Sequence, residues 1–182
     1  MIQCKSVIIS GRPGSGKSAL AKEISKQYGW KMFSVGRLWR EIWNKTYPGG
    51  EMTFEMYWRN TSIEENMEMD KKAGRTIQEG RIVADLRFSK AVSDPDVLKV
   101  FVDADLEVRA RRVIEAGRYK MLAVDDVCRI LVDREKDEVR MGKYVYGEDY
   151  DYRNLLNYNV ALNSGMLDIE DEVKMIGEFI TG

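Results

Sequence analysis

Residues 11–18 read Gly11-Arg12-Pro13-Gly14-Ser15-Gly16-Lys17-Ser18, the spacing G-x-x-x-x-G-K-[ST] of a phosphate-binding loop. This segment constrains the fold more than any other. Backbone N–H groups curl around an anion only where glycines permit the turn, and the following helix must start there so that its N-terminus adds partial positive charge. The flanks comply: the apolar run Val7-Ile8-Ile9 precedes the loop, and an alanine- and lysine-rich stretch, Ala19 to Gln27, follows it. Strand, loop and helix are therefore expected in that order, with a nucleoside triphosphate as ligand. Lys17 is placed to reach the β- and γ-phosphates and Ser18 the magnesium ion. Gly11, Arg12, Pro13, Gly14, Ser15, Gly16 and Ala19 complete the expected nucleotide contacts.

A chain of 182 residues suits one compact domain with room for a small insertion. It is 44% hydrophobic and 32% charged, with a mean hydropathy of -0.42. No apolar run nears the roughly 20 residues of a membrane span, and Val7-Ile8-Ile9 is too short for a signal-peptide core. A cytoplasmic protein with no membrane partner is expected. The net charge of -1 gives no global field for a nucleic acid polymer, and a monomer is expected. Cys4 and Cys128 are far apart and read as small buried residues. With no histidine, the usual neutral-pH general base is missing. Chemistry here rests on carboxylates, arginines, lysine and metal.

Strand and helix signals alternate along the chain. Ser6–Ile9, Met32–Val35, Thr76–Gln78, Val97–Val102 and Tyr158–Leu162 read as short buried strands. Helical spacing recurs between them, at Leu106, Ala110, Val113 and Gly117, then at Val124, Val127, Cys128 and Leu131, and again at Ile169, Val173, Ile176 and Ile180. The pattern predicts an α/β fold of the P-loop NTPase type, a five-stranded parallel sheet with helices on both faces. Two stretches exceed a minimal alternation. Residues 36–74 leave space for two or three helices, and residues 118–147 are strongly charged.

The chain resembles the nucleoside monophosphate kinases, and among them the short cytidylate kinases of archaeal type. The resemblance rests on the loop at 11–18, Ser34-Val-Gly-Arg-Leu-Trp-Arg40, Glu79-Gly-Arg81, Asp105-Leu-Glu-Val-Arg-Ala-Arg-Arg112 and Arg134-Glu-Lys-Asp-Glu138. Tyr146-Gly147 and Tyr158-Asn-Val-Ala-Leu-Asn163 also fit. It implies one kinase domain with ATP and Mg2+ as cofactors and a nucleoside monophosphate as substrate, most readily CMP or dCMP. It also implies an acceptor-binding insertion at about 36–74 and a lid at about 118–147, with Gly117, Gly142 and Gly147 as flexible ends.

Charge supports the same reading. A hydroxyl acceptor usually needs a carboxylate to take its proton, and Ser34-Val35-Gly36 after strand two offers none. A phosphate acceptor is already anionic and needs cations to hold two repelling phosphates together. Arg40, Arg81, Arg109, Arg112, Arg134 and Arg140 supply them. The resemblance assigns Ser34, Gly36, Arg40, Gly80 and Arg81 to the acceptor, with Arg40 gripping its phosphate through a bidentate fork. Glu79 would face the magnesium through water, with Ser18 on the same ion. By the same resemblance Arg109 would lie against the adenine, and Arg134 and Arg140 would act from the lid on the phosphoryl group in transit.

Other readings stay open: another nucleotide such as AMP or UMP, a different small-molecule acceptor, or a non-catalytic nucleotide-dependent switch. Related cytidylate kinases are basic before strand three, where this chain has the acidic Ile63-Glu-Glu-Asn-Met-Glu-Met-Asp70, and Met141 stands where the family tends to have arginine. Trp30, Trp39, Trp43 and Trp58 gather in or beside the first insertion, where packing a subdomain with little core of its own is their expected role.

Overall fold

The computed structural model describes residues 4–181. Five parallel strands form one sheet in the order β2-β3-β1-β4-β5. They are β1 (Ser6–Gly11), β2 (Lys31–Ser34), β3 (Ile82–Asp85), β4 (Val97–Asp103) and β5 (Val160–Asn163). The helices are α1 (Lys17–Tyr28), α2 (Val35–Thr46), α3 (Phe54–Arg59), α4 (Ile63–Gln78), α5 (Leu106–Glu115), α6 (Val124–Tyr146) and α7 (Ile169–Thr181).

The continuous apolar character of β1 follows from burial on both faces. Val7 and Ile9 enter a core with Val83, Val100 and Val102, closed by Leu20, Ala21 and Ile24 of α1 and Val173 and Ile176 of α7. Ile8 points the other way, into a core with Ala84 and Phe101, closed by Trp39 of α2, Ala73 and Ile77 of α4, and Met141 of α6. Each fully buried aliphatic side chain contributes on the order of 1.5–3 kcal/mol. A smaller cluster of Ala110, Val113, Val127 and Leu131 joins α5 to α6.

The third strand is not where the sequence placed it. Thr76–Gln78 is the last turn of α4, whose buried Met69, Ala73 and Ile77 recur every four residues, a helical period. The strand is the next apolar run, Ile82-Val83-Ala84, buried throughout. The first insertion consequently spans three helices, α2 to α4, and is packed by aromatic rings. Trp39 and Trp58 are buried, and the Trp43 indole N–H donates to the Met52 carbonyl at 2.9 Å. Among the described residues, no helix is long and apolar enough to cross a membrane.

In the charged segment, α6 is one unbroken 23-residue helix with its inner face buried. Gly142 is no flexible end. A Cβ there would stand 3.1 Å from the Tyr150 ring and 3.2 Å from that of Phe88, so the glycine lets α6 approach them.

At the end of β1, Gly11 has φ +143°, and a Cβ would fall 1.9 Å from the Val102 carbonyl oxygen. Gly16, at the start of α1, has φ +95° but meets only the end of the Arg112 side chain, at 3.7 Å. Gly11→Ala should therefore cost more than about 3 kcal/mol, because strain and backbone overlap add. Gly16→Ala should cost about 1–3 kcal/mol, from backbone strain alone. Urea unfolding of both variants checks the ranking, and equal losses would refute it.

Candidate active site

The carboxyl ends of the strands open onto a cavity of about 460 Å³. Ligands of open parallel sheets bind at this edge. Gly11, Pro13, Gly14, Gly16, Lys17, Ser18 and Ala19 line its centre. Arg12 and Ser15 belong to the same loop but serve it from beneath. Arg12 pairs with Glu135 at 2.9 Å and Asp103 at 3.1 Å. The Ser15 carbonyl accepts from the Ser164 hydroxyl at 2.7 Å.

Lys17 donates to the Arg12 carbonyl at 2.7 Å on the cavity floor. Burial, only partly opposed by Asp85 and Glu138, lowers its ammonium to a pKa of about 8. The Ser18 hydroxyl donates to Asp85 Oδ2 at 2.6 Å, and the Ser34 hydroxyl donates to the same oxygen at 3.2 Å. Ser34 also caps α2, accepting from the Arg37 N–H at 3.3 Å. One carboxylate thus ties β3 to the loop and to the start of α2.

Cations converge on the β2–β3 side. Arg40, one turn into α2, donates to the Gly36 carbonyl at 3.0 Å and lies 4.8 Å over the Phe54 ring. Burial first, then repulsion by Arg118 and Arg134, lowers its pKa to about 10. Arg87, just past β3, stacks 3.9 Å from the Trp58 ring and pairs with Glu138 at 3.2 Å. Arg134 pairs with the same carboxylate at 3.1 Å. Burial opposes the charge on Glu138, but the two guanidiniums outweigh it and hold the carboxyl below its usual range. Arg118 reaches the cavity from the loop between α5 and α6. The next residue, Tyr119, donates to Glu55 at 2.7 Å, bridging that loop to α3.

The expected residues divide sharply. Lys17, Ser18, Gly36, Arg40 and Arg134 line one cavity, with Ser34 beneath it. Glu79, Gly80 and Arg81 do not join them. They form the turn entering β3, at the sheet edge opposite the loop, because the strand begins after them. The Arg81 N–H donates to the Lys5 carbonyl at 2.6 Å, and exposed Glu79 lies 3.7 Å from Lys31. Arg140 is on the outer side of α6, paired with Asp137 at 3.2 Å. Arg109 is enclosed rather than presented to a base. It donates to Ala104 at 2.9 Å, Pro13 at 3.1 Å and Glu135 at 2.6 Å, so it fixes the loop from below. Arg112, one turn on, lines the cavity.

Sequence reasoning missed Asp85, Arg87, Arg118 and Glu138. A signal for the first two exists: Asp85-Leu86-Arg87 directly follows the apolar run Ile82-Val83-Ala84, where the carboxyl end of a strand delivers side chains to the site. The lack of an acid after β2 also loses its force, since β3 delivers Asp85 to the side chain of Ser34.

The model of the cytidylate kinase-like family matches residues 6–166. A cytidylate kinase of Pyrobaculum calidifontis is 32% identical to this chain, covering 96% of it and 91% of the relative. One from Archaeoglobus fulgidus is 31% identical, covering 93% of this chain and 91% of its own length. Among solved structures, an uncharacterized protein from Eubacterium ventriosum aligns with a TM-score of 0.65 at 15% identity, covering 96% of this chain and 97% of that one. The shikimate kinase from Acinetobacter baumannii aligns with a TM-score of 0.58 at 10% identity, covering 98% and 94%. At such identities the structures share the fold alone, whereas the sequence match extends over most of the chain. This chain belongs to the cytidylate kinase-like family.

Proposed function

We propose that the protein transfers the γ-phosphoryl group of Mg·ATP to a nucleoside monophosphate, with CMP or dCMP as the preferred acceptor. One observation carries the reading: Lys17, Arg40, Arg87, Arg118 and Arg134 converge on a cavity side where, among the described residues, Asp85 and Glu138 are the acidic side chains in the lining. Such a surplus of positive charge suits two phosphate-bearing ligands meeting end to end. The choice of cytosine rests on the relatives named cytidylate kinases, carried over to this chain.

The phosphate loop holds the triphosphate, and Lys17 offsets charge on its outer phosphates. Arg40 and Arg87, held by Phe54 and Trp58, grip the acceptor's phosphate. Arg134, oriented by Glu138, offsets charge on the group in transit. Ser18 and Asp85 provide two hard oxygen donors at the loop, a set that fits a magnesium ion carried mainly by phosphate oxygens and water. Such an ion would offset charge on the phosphates. Among the described residues, no group of three or more acidic, cysteine or histidine side chains is placed to cage a metal. The lid in this reading is the short segment 117–123, which carries Arg118 and Tyr119, rather than the whole of 118–147.

ADP formation measured against CMP, dCMP, UMP, AMP and GMP in parallel tests the proposal. Turnover rising most with CMP or dCMP is expected. A preference for AMP would overturn the acceptor, and ATP consumption indifferent to all five would overturn the transfer itself.

Arg40→Ala should raise KM for the monophosphate on the order of 10- to 100-fold, the worth of a charge-assisted hydrogen bond. KM for ATP should stay within about threefold. Arg81→Ala, at the opposite sheet edge, should change neither, and steady-state kinetics of both variants settle it.

Lys17 gives a pH signature. A polyanion raises the pKa of an ammonium beside it, so ATP binding above pH 8 should take up a proton, and affinity should fall as pH rises through about 8. The stability sign is opposite to that of a paired lysine. Folding lowers this pKa, so the ammonium destabilises the free protein below about 8, and the penalty fades as pH climbs toward 10.5. Lys17→Met should abolish the proton uptake and raise the Tm of the free protein at pH 7. Calorimetry in two buffers of different ionisation heat reads the first, and thermal melts the second.

A further inference from the structure

The cavity has a second end, on the β4–β5 side of the phosphate loop and away from Arg40 and Arg87. Its walls are apolar, from Val113 and Ala116 on one side to Leu167 and Ile169 on the other. Glu172 is set in this slot. It is 4% exposed, and among the described residues its Oε1 has no hydrogen-bond partner. Glu172 lies in the first turn of α7, where acids complement the helix dipole. Its neighbours Glu170 and Asp171 do that from the exposed face, so the dipole does not require burial. Arg112, the nearby cation, donates to Ser164 at 2.8 and 2.6 Å and to Ser15 at 3.5 Å rather than to Oε1 of Glu172. A buried carboxylate oxygen without a donor is costly, and a native fold seldom keeps one without a use for it.

We propose that Glu172 reads the base of the phosphoryl donor: its carboxylate accepts a hydrogen bond from the exocyclic amino group of a purine lying between Val113, Ala116 and Leu167. The proposal rests on the reading of this cavity as a kinase site, in which the loop fixes the triphosphate and leaves the base to this end. Topology supports the division, since α2 and β3 build the acceptor side while α5 and α7 build the slot. The carboxylate suits the amine because it only accepts, and an amino N–H only donates. Burial pushes the Glu172 carboxyl up, with Arg112 opposing only in part. A donor supplied by the base would satisfy the oxygen that the protein leaves unmet.

Adenine and guanine both carry such an amine, and two pairs of ligands separate them. ATP is compared with purine riboside triphosphate, which lacks the 6-amino group, and GTP with ITP, which lacks the 2-amino group. Calorimetric binding of all four as magnesium complexes is measured for the wild type, Glu172→Gln and Glu172→Met. In the wild type, the amino-bearing member of one pair should bind on the order of 10- to 100-fold tighter than its partner, as a hydrogen bond to a charged group implies. The pair that shows it identifies the base. Glu172→Met should bring that ratio to within about threefold, and Glu172→Gln should leave it between the two. A ratio taken within one protein is unaffected by loss of folded material, and Glu172→Gln conserves size if the methionine variant folds poorly. Equal binding within both pairs in the wild type, or an unchanged ratio in Glu172→Met, overturns the proposal, as does a rise in Tm with no change in selectivity. No acceptor takes part in these measurements. Binding without selectivity therefore overturns this inference alone, whereas no binding of any of the four overturns the kinase reading with it.

Discussion

Beneath the phosphate loop, Glu135 stands between two guanidiniums, 2.9 Å from Arg12 and 2.6 Å from Arg109. Both Glu135 and Arg109 are buried, so this carboxylate bears on the whole site. Losing one partner of a buried ion pair costs about 3–5 kcal/mol, because the remaining charge is left without compensation. Here the loss would fall on the loop itself, since Arg109 also binds the Pro13 carbonyl and Arg12 is a loop residue. Glycines allow the loop its path, and this charge cluster selects one path among those allowed. The order of dependence runs from Glu135 to the loop, and from the loop to the ligands that meet above it.

Above the loop, positive charge is gathered at a cost. Arg40, Arg87 and Lys17 are all driven below their ordinary pKa values by burial, and Arg40 also by its cationic neighbours. Folding holds the site in an electrostatic state that a polyanion would relieve. The aromatic rings of the first insertion limit that cost by covering the guanidinium faces while leaving their edges free to donate. The tryptophans and the arginines are therefore one device: Trp58 packs the subdomain and also seats Arg87.

How much of this the sequence disclosed depended on whether a feature is local. The loop at 11–18, four of the five strands, and the spacing along α5, α6 and α7 are local, and each falls at or within two residues of where its pattern placed it. The third strand failed because two apolar signals compete there, Ile77 in helical register with Met69 and Ala73, and Ile82-Val83-Ala84 just after it. That shift carried Glu79 and Arg81 to the wrong edge and hid Asp85 and Arg87. Arg109 and Arg140 failed for a different reason. On a helix rich in both charges, a buried brace, a cavity cation and a solvated ion pair look alike in one dimension. Only the third dimension separates Arg109, held by Glu135, from Arg112, which lines the cavity.

The unbroken course of α6 has a mechanical meaning. Arg134 and Glu138, one turn apart, serve the cavity, while Glu135 between them holds the loop. A helix of this length is a stiff rod of roughly 35 Å at about 1.5 Å per residue, and its far end is wedged at Gly142 against Tyr150 and Phe88. Residues on one rod keep their relative positions. The arginine that lines the cavity and the acid that braces the loop beneath it are thus geared together, and neither can be displaced without disturbing the other. Any opening or closing would fall instead to the segments joined to the rod, and the floor of the cavity would keep its alignment as they moved.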